Sequence, residues 1–137
     1  MVRDLKRYGI GVCVERLAPG MKAGAVIEEG NIVCVDASGY AVEATEATDL
    51  RPVGRACETK DNSAGQDGAE RINCEPGTFL LQNSSGADAV TMADFLKDVF
   101  FVNGGRVART SGGGKRSVAG KMMGLDGGRV AVSIGPR

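Results

Sequence analysis

The stretch Ser117–Ile134, SVAGKMMGLDGGRVAVSI, decides the fold class of this chain, because two apolar segments flank a tight glycine turn. Asp126-Gly127-Gly128 provides the turn, since consecutive glycines accept the positive φ angles that short hairpin loops require. We therefore predict that Ser117–Met123 and Arg129–Ile134 form a β-hairpin.

The same pattern of short apolar runs cut by glycine turns continues toward the N-terminus. Two further strand–turn–strand units are predicted around Ala37-Ser38-Gly39 and Asn103-Gly104-Gly105. Their strands are Ile32–Val35 with Tyr40–Ala44, and Val99–Val102 with Arg106–Arg109. The other predicted strands are Gly9–Glu15, Ala25–Ile27, Pro52–Cys57, and the pair Arg71–Glu75 and Thr78–Gln82 around Pro76-Gly77.

Two of these segments have features beyond their apolar content. In Gly9–Glu15, the side chains of Ile10, Val12 and Val14 alternate with smaller or polar ones, which is the period-two signature of a strand. Gly54 lies inside the strand predicted at residues 52–57, where the missing side chain lets a second backbone approach closely.

The chain has one short helix signal. Thr91 can cap Met92–Leu96, with Asp94 at the third helical position in place of the glutamate of a capping box. About eight to ten short strands and one short helix predict an all-β fold. We expect a small, jelly-roll-like β-sandwich or barrel of antiparallel strands at residues 9–137, preceded by an extended N-terminal arm at residues 1–8.

Composition points away from catalysis. The 137 residues include no histidine, which is the usual general base at neutral pH and the commonest metal ligand. No Cys-x-x-Cys pair occurs among the four cysteines. They are predicted to be reduced and mostly buried, and they are Cys13, Cys34, Cys57 and Cys74. We predict a protein that is not an enzyme, with no catalytic residue, no metal site and no cofactor.

Three near-motifs fail at the positions that perform the chemistry. In Thr110–Ser117, Arg116 stands where a phosphate loop needs a serine or threonine for magnesium. In Asp61–Gly68, Ser63 and Gly65 occupy positions that should be calcium ligands. Lys121 is followed by two methionines rather than placed between them as in a biotin carrier.

Charge is balanced overall but segregated along the chain. Residues 23–50 carry six acidic side chains and no basic one, whereas from Asn103 onward seven basic side chains accompany only Asp126. The two segments are neighbours within one fold, or an acidic surface meets a basic one on an adjacent copy. The net charge of zero argues against a general nucleic-acid binder.

The chain also lacks the sequence features of membrane insertion. No apolar run approaches the roughly 18 residues that span a bilayer, and no apolar signal-peptide core follows the basic start. We expect the protein to be synthesised in a cytoplasm and to be used there or released by cell lysis. We expect no membrane partner.

The order of segments resembles the small cement, or decoration, proteins of tailed-bacteriophage heads. The resemblance extends from about Ala18 to the end of the chain and rests on the order and spacing of the segments. Its segments are Ala23–Gly30, Arg51–Ala56, Asp61–Ala69, Gly77–Asn83, Val99–Val102 with Arg106–Arg109, and Arg116–Lys121.

The resemblance implies a structural virion protein on the outer surface of an icosahedral capsid. Such a protein bridges subunits of the major capsid protein, and it is expected to be a homodimer or homotrimer. The arm is the expected clamp, with apolar anchors and cations that meet an acidic capsid surface. Its predicted partner-binding residues are Val2, Arg3, Leu5, Lys6, Arg7 and Tyr8.

Two other functions remain open from the sequence. One is another virion component, a tail or baseplate β-module, which would be found at a single vertex or along the tail. The other is a small ligand-binding β-barrel, although four Phe, two Tyr and no Trp supply few aromatic groups for a lined pocket.

Overall fold

The computed structural model describes residues 16–136, with 45% of residues in β-strands and 5% in helices, which confirms the all-β fold class. The predicted arm at residues 1–8 and the predicted strand Gly9–Glu15 lie outside the described residues. The strands are β1 Val26–Ile27, β2 Ile32–Val35, β3 Ala41–Glu43, β4 Arg51–Ala56, β5 Lys60–Asp61, β6 Cys74–Glu75, β7 Gly77–Asn83, β8 Asp98–Asn103, β9 Arg106–Ala108, β10 Val118–Asp126 and β11 Arg129–Ile134. Within residues 16–136, two short 3-10 helices span Gly86–Asp88 and Met92–Asp94.

Five strands close into a small barrel in the order β10-β11-β7-β9-β8. The predicted β10–β11 hairpin and the β8–β9 unit are both confirmed as antiparallel pairs. One pair departs from the antiparallel expectation, since β7 runs parallel to β9 at Gln82 and Asn83. Fully buried side chains fill the interior, as expected for a barrel of this size. The largest of them are Phe101, Met122, Ile134, Val99, Val107, Val130 and Val132.

A four-stranded antiparallel sheet, in the order β3-β2-β4-β6, lies against this barrel core. The predicted β2–β3 hairpin is confirmed, with Cys34 opposite Val42. Strand β2 serves two apolar clusters, because successive side chains point to opposite faces. Ile32 and Cys34 join the barrel core, whereas Val33 joins a second cluster. The other buried members of that second cluster are Met21, Ile27, Ala41, Val53, Ala56, Ile72 and Cys74.

The expected pairing of the strands around Pro76-Gly77 is wrong. β6 pairs with β4 and β7 pairs with β11, so the chain passes from the sheet into the barrel without reversing direction. Pro76 has no amide to donate, which suits a residue between two ladders. The predicted close approach at Gly54 is confirmed, because a Cβ there would lie 2.5 Å from the carbonyl oxygen of Glu75.

The thiols of the described cysteines are free, as predicted, and differ in burial. Cys34 and Cys74 are buried, and burial raises the pKa of each thiol to about 12. Cys57 follows β4 and is half-buried, with its thiol donating to the carbonyl oxygen of Arg55 at 3.9 Å. Cys13 lies outside the described residues.

Alkylation should therefore discriminate among these three cysteines. Because the thiolate is the reactive form, we expect iodoacetamide at pH 8 to modify Cys57 in the native protein and to reach Cys34 and Cys74 only in urea. Peptide mapping by mass spectrometry at several time points measures this order. Equal native rates at Cys57 and Cys34 would contradict the packing of β2.

Candidate interaction surface

The partner-binding residues predicted in the arm, Val2, Arg3, Leu5, Lys6, Arg7 and Tyr8, lie outside the described residues. Within residues 16–136, another feature has the character of an interaction surface. It is an apolar patch around the second 3-10 helix, formed by Met92, Phe95, Leu96 and the neighbouring Met123 of β10.

Each side chain of the apolar patch is about half exposed. The exposed fractions are 56% for Met92, 47% for Phe95, 53% for Leu96 and 44% for Met123. Backbone hydrogen bonds join the segments that carry these residues, since the Phe95 amide donates to the Met92 carbonyl and the Leu96 amide donates to the carbonyl of Met122, next to Met123. Single exposed apolar residues are ordinary on a protein surface, but a contiguous group of long ones marks an interaction site.

The patch is held rigidly by a capping box, which confirms the predicted role of Thr91 and Asp94. The Thr91 amide donates to Asp94 Oδ2 at 2.9 Å, and the Ala93 amide donates to Thr91 Oγ1 at 3.3 Å. Asp94 is buried, and its other oxygen accepts from Arg109 Nη2 at 3.1 Å. The helix is shorter than predicted, because the chain leaves helical conformation at Phe95.

Leu96 combines two unfavourable features at one position. Its φ is +66°, in the left-handed region where a bulky side chain costs roughly 1–2 kcal/mol. Its side chain is also exposed, so that cost is not offset by burial within the described chain. Two backbone bonds to β10 hold it there, Leu96 N to Met122 O at 2.8 Å and Met122 N to Lys97 O at 2.9 Å. Strained residues of this kind are found at sites of binding.

Charged groups surround the apolar patch. Lys121 Nζ lies 2.8 Å from Asp98 Oδ1, Lys97 is exposed beside Leu96, and Arg109 is two-fifths exposed beyond Asp94. An apolar centre with a polar, solvated rim is the usual arrangement of a protein–protein interface.

A cleft of about 430 Å³ lies on another part of the surface, where the sheet meets the barrel. Asn31 and Glu43 form one wall, and the Gly104-Gly105 turn, Gln82 and Arg129 lie around the rest. The Glu43 carboxylate accepts from the Glu28 amide at 3.0 Å and from Asn31 Nδ2 at 2.9 Å. That carboxylate is thus occupied in holding the β1–β2 turn.

The two charge-segregated segments are in contact within one chain. Arg116 Nε lies 2.7 Å from Glu46 Oε2, and Arg116 Nη1 lies 3.3 Å from Asp88 Oδ2. These partners raise the pKa of Arg116, the bond to Glu46 most of all. The first alternative, neighbours within one fold, is therefore confirmed at Arg116. Arg116, which occupies the magnesium-ligand position of the Thr110–Ser117 near-motif, is therefore bonded to carboxylates.

Carboxylates with lowered pKa values predict a loss of stability in acid. The Thr110 hydroxyl and then Arg116 lower the pKa of Asp88, and the amide of Tyr40 and then Lys22 lower that of Asp36. A lowered pKa in the folded state stabilises the protein above the unfolded value, near pH 4, and that contribution disappears as pH falls through the folded value.

We expect a urea midpoint that is nearly constant from pH 7 to pH 5 and falls below about pH 4. In the double variant D36N/D88N the midpoint at pH 7 should be lower and the acid decrease shallower, because an asparagine has no carboxylate to protonate. The control is D126N, which changes a carboxylate at the exposed β10–β11 turn. An acid decrease as steep in D36N/D88N as in the control would contradict this assignment.

Two kinds of site are absent from residues 16–136. No group of three or more Cys, Asp or Glu side chains there is arranged to hold a metal ion. No helix within that range has the length and apolar character needed to cross a membrane.

Sequence reasoning assigned a helix to residues 92–96 but no role in binding. Apolar residues at helical spacing have the same pattern whether they face a core or solvent, so the exposure of Phe95 and Leu96 could not be predicted from the sequence.

In comparisons with protein-family models, curated proteins and solved structures, none matched this chain.

Proposed function

We propose that the protein is a capsid cement protein of a tailed bacteriophage, which binds the outer face of the expanded head and stabilises contacts between major capsid protein subunits. The observation that supports this most is Leu96, a strained and exposed leucine held rigidly beside Phe95 on a packed barrel. Such a residue destabilises the free chain and becomes favourable only when a partner covers it. The order of segments that resembles cement proteins indicates which partner that is.

A small rigid barrel suits this role physically. Residues of the barrel interior are fully buried, so the surface that carries the patch deforms little when it meets a partner. Each copy needs only an interface of about 1,600 Å², because many copies act on one shell. Phe95 and Leu96 are then central anchors, and the Asp98–Lys121 pair lies at the solvated rim.

The arm provides a second contact in this proposal. Val2, Leu5 and Tyr8 would supply apolar anchors, and Arg3, Lys6 and Arg7 would meet acidic groups of the capsid. Self-association as a dimer or trimer would bring several arms and patches to one shell. Because part of the contact is electrostatic, attachment should weaken in high salt.

Co-sedimentation tests the proposal. The purified full chain is mixed with expanded empty heads of the same virus, and copies per shell are read from the pelleted fraction. We expect saturation at a fixed ratio to capsid subunits and reduced occupancy when residues 1–7 are deleted. Binding to tails or to one vertex alone would favour a tail or baseplate module, and no binding to any particle would overturn the virion role.

A further inference from the structure

Within residues 16–136, the methionine side chains fall into two groups that differ sharply in exposure. Met92 and Met123 of the apolar patch are 56% and 44% exposed. Met21 and Met122 have no exposed surface, since Met21 lies in the second apolar cluster and Met122 lies in the barrel core. The same thioether is therefore open to solvent at two positions and fully enclosed at two others.

Strand β10 contains one methionine of each kind at consecutive positions. The Met122 side chain packs in the barrel core, and its backbone bonds to Leu96 and Lys97. Met123 lies at the irregularity in the β10–β11 register, with its side chain exposed. Position along the chain is thus nearly the same for the two residues, and burial is the property that differs.

A thioether sulfur is a group that a peroxide oxidises directly. The sulfur lone pair attacks one oxygen of the peroxide, and an S–O bond forms as the O–O bond breaks. The proton on the attacked oxygen passes to the leaving oxygen, which departs as water from hydrogen peroxide or as an alcohol from an alkyl hydroperoxide. Sulfur loses the two electrons that the peroxide gains, and the product is methionine sulfoxide.

Exposure decides which of these sulfurs react. At a half-exposed methionine the peroxide arrives from solvent, and water then solvates the new oxygen. Close packing denies the oxidant a path to Met21 and Met122, and an oxygen added there would need space and a hydrogen-bond donor inside an apolar cluster. The other side chains of the patch, Phe95 and Leu96, are hydrocarbons that carry no sulfur.

We propose that Met92 and Met123 form an oxidation site for peroxides, which converts the apolar patch into a polar surface. Each sulfoxide oxygen accepts hydrogen bonds from water, so covering it with an apolar partner carries a desolvation cost that the thioether does not have. Two of the four side chains of the patch change in this way. The consequence for attachment rests on the proposed function: oxidised protein binds the capsid more weakly than reduced protein.

Peroxide treatment of the native full chain, followed by peptide mapping, tests the site itself. We expect Met92 and Met123 each to gain one oxygen atom at least about 10-fold faster than Met21 and Met122. In urea the four methionines should react at similar rates, because packing no longer separates them. Equal rates at Met122 and Met123 in the native protein would overturn the site.

The variant M92L/M123L separates oxidation of the patch from oxidation elsewhere. Leucine is close to methionine in volume and has no sulfur, so the patch stays apolar and the fold is kept. After peroxide treatment, retention on a hydrophobic interaction column should fall in the wild type and stay constant in the variant, which still contains Met1 and Cys57. An equal fall in both proteins, or no fall in the wild type, would overturn the change in polarity.

Co-sedimentation with expanded heads measures the consequence for attachment. We expect peroxide treatment to weaken shell binding by about 10-fold in the wild type and to leave M92L/M123L unchanged. Equal weakening in both proteins, or unchanged binding of wild type with both patch methionines oxidised, would overturn that consequence. Untreated protein that binds no heads would overturn the proposed function, whereas the oxidation rates and the column retention of the free protein decide the oxidation site independently.

Discussion

Replacing Gly120 with alanine is expected to destabilise the protein by about 3 kcal/mol, because the added methyl group overpacks the barrel. Gly120 lies in β10 at the irregularity where this strand meets β8. A Cβ at this position would overlap the carbonyl oxygen of Ser133 in β11. That oxygen belongs to the backbone of a central hairpin, so it cannot move aside as a flexible side chain could.

Gly124→Ala is the matched control for this prediction. The two glycines lie in the same strand and have nearly the same φ, +157° at Gly120 and +156° at Gly124. Alanine therefore meets the same backbone strain at both positions. The space differs, since a Cβ at Gly124 has no heavy atom within 4 Å.

Urea unfolding of both variants isolates the steric effect. The difference between G120A and G124A reports the contact with Ser133 alone, because the strain is common to both. Equal free energies of unfolding would contradict the close approach of β10 and β11 at this point.

Replacing the two central residues of the apolar patch is expected to separate stability from binding. In the double variant F95S/L96N, asparagine tolerates the left-handed φ of Leu96 better than leucine does, so the free protein should be as stable as the wild type or up to about 1 kcal/mol more stable. Shell binding should weaken by about 100-fold, since two central apolar anchors contribute more than 1 kcal/mol each.

Val26→Thr is the control, because Val26 is similarly exposed but lies in β1, on the small β1–β5 sheet. This variant should keep wild-type affinity for shells. The same weakening in V26T and in the double variant would contradict a specific role for the patch, as would wild-type affinity in F95S/L96N.

Hairpins are the part of the fold that local sequence predicts well. The β10–β11 turn has Gly127 at φ +59° and Gly128 at φ +83°. The two glycines from which the turn is predicted are therefore the residues that adopt the positive φ angles it requires. The capping box at residues 91–94 is likewise a local device, in which residue types and spacing determine the hydrogen bonds.

Pairings between distant segments could not be predicted in this way. Pro76-Gly77 has the composition of a hairpin turn, yet the segments before and after it do not pair with each other, because β6 pairs with β4 and β7 pairs with β11. The parallel β7–β9 pair and the contact of Arg116 with Glu46 join residues 24 and 70 positions apart, which no local pattern specifies. For the interaction surface, periodicity placed Phe95 and Leu96 on one helix but carried no information about which side faces water.

An electron cryo-microscopy reconstruction of expanded heads saturated with the purified protein tests the proposed function most directly. We predict a barrel-shaped density at regular positions on the outer face of the shell, with residues 92–96 against the major capsid protein. Heads that remain bare after saturation, or density confined to the portal vertex or tail, would contradict a cement role.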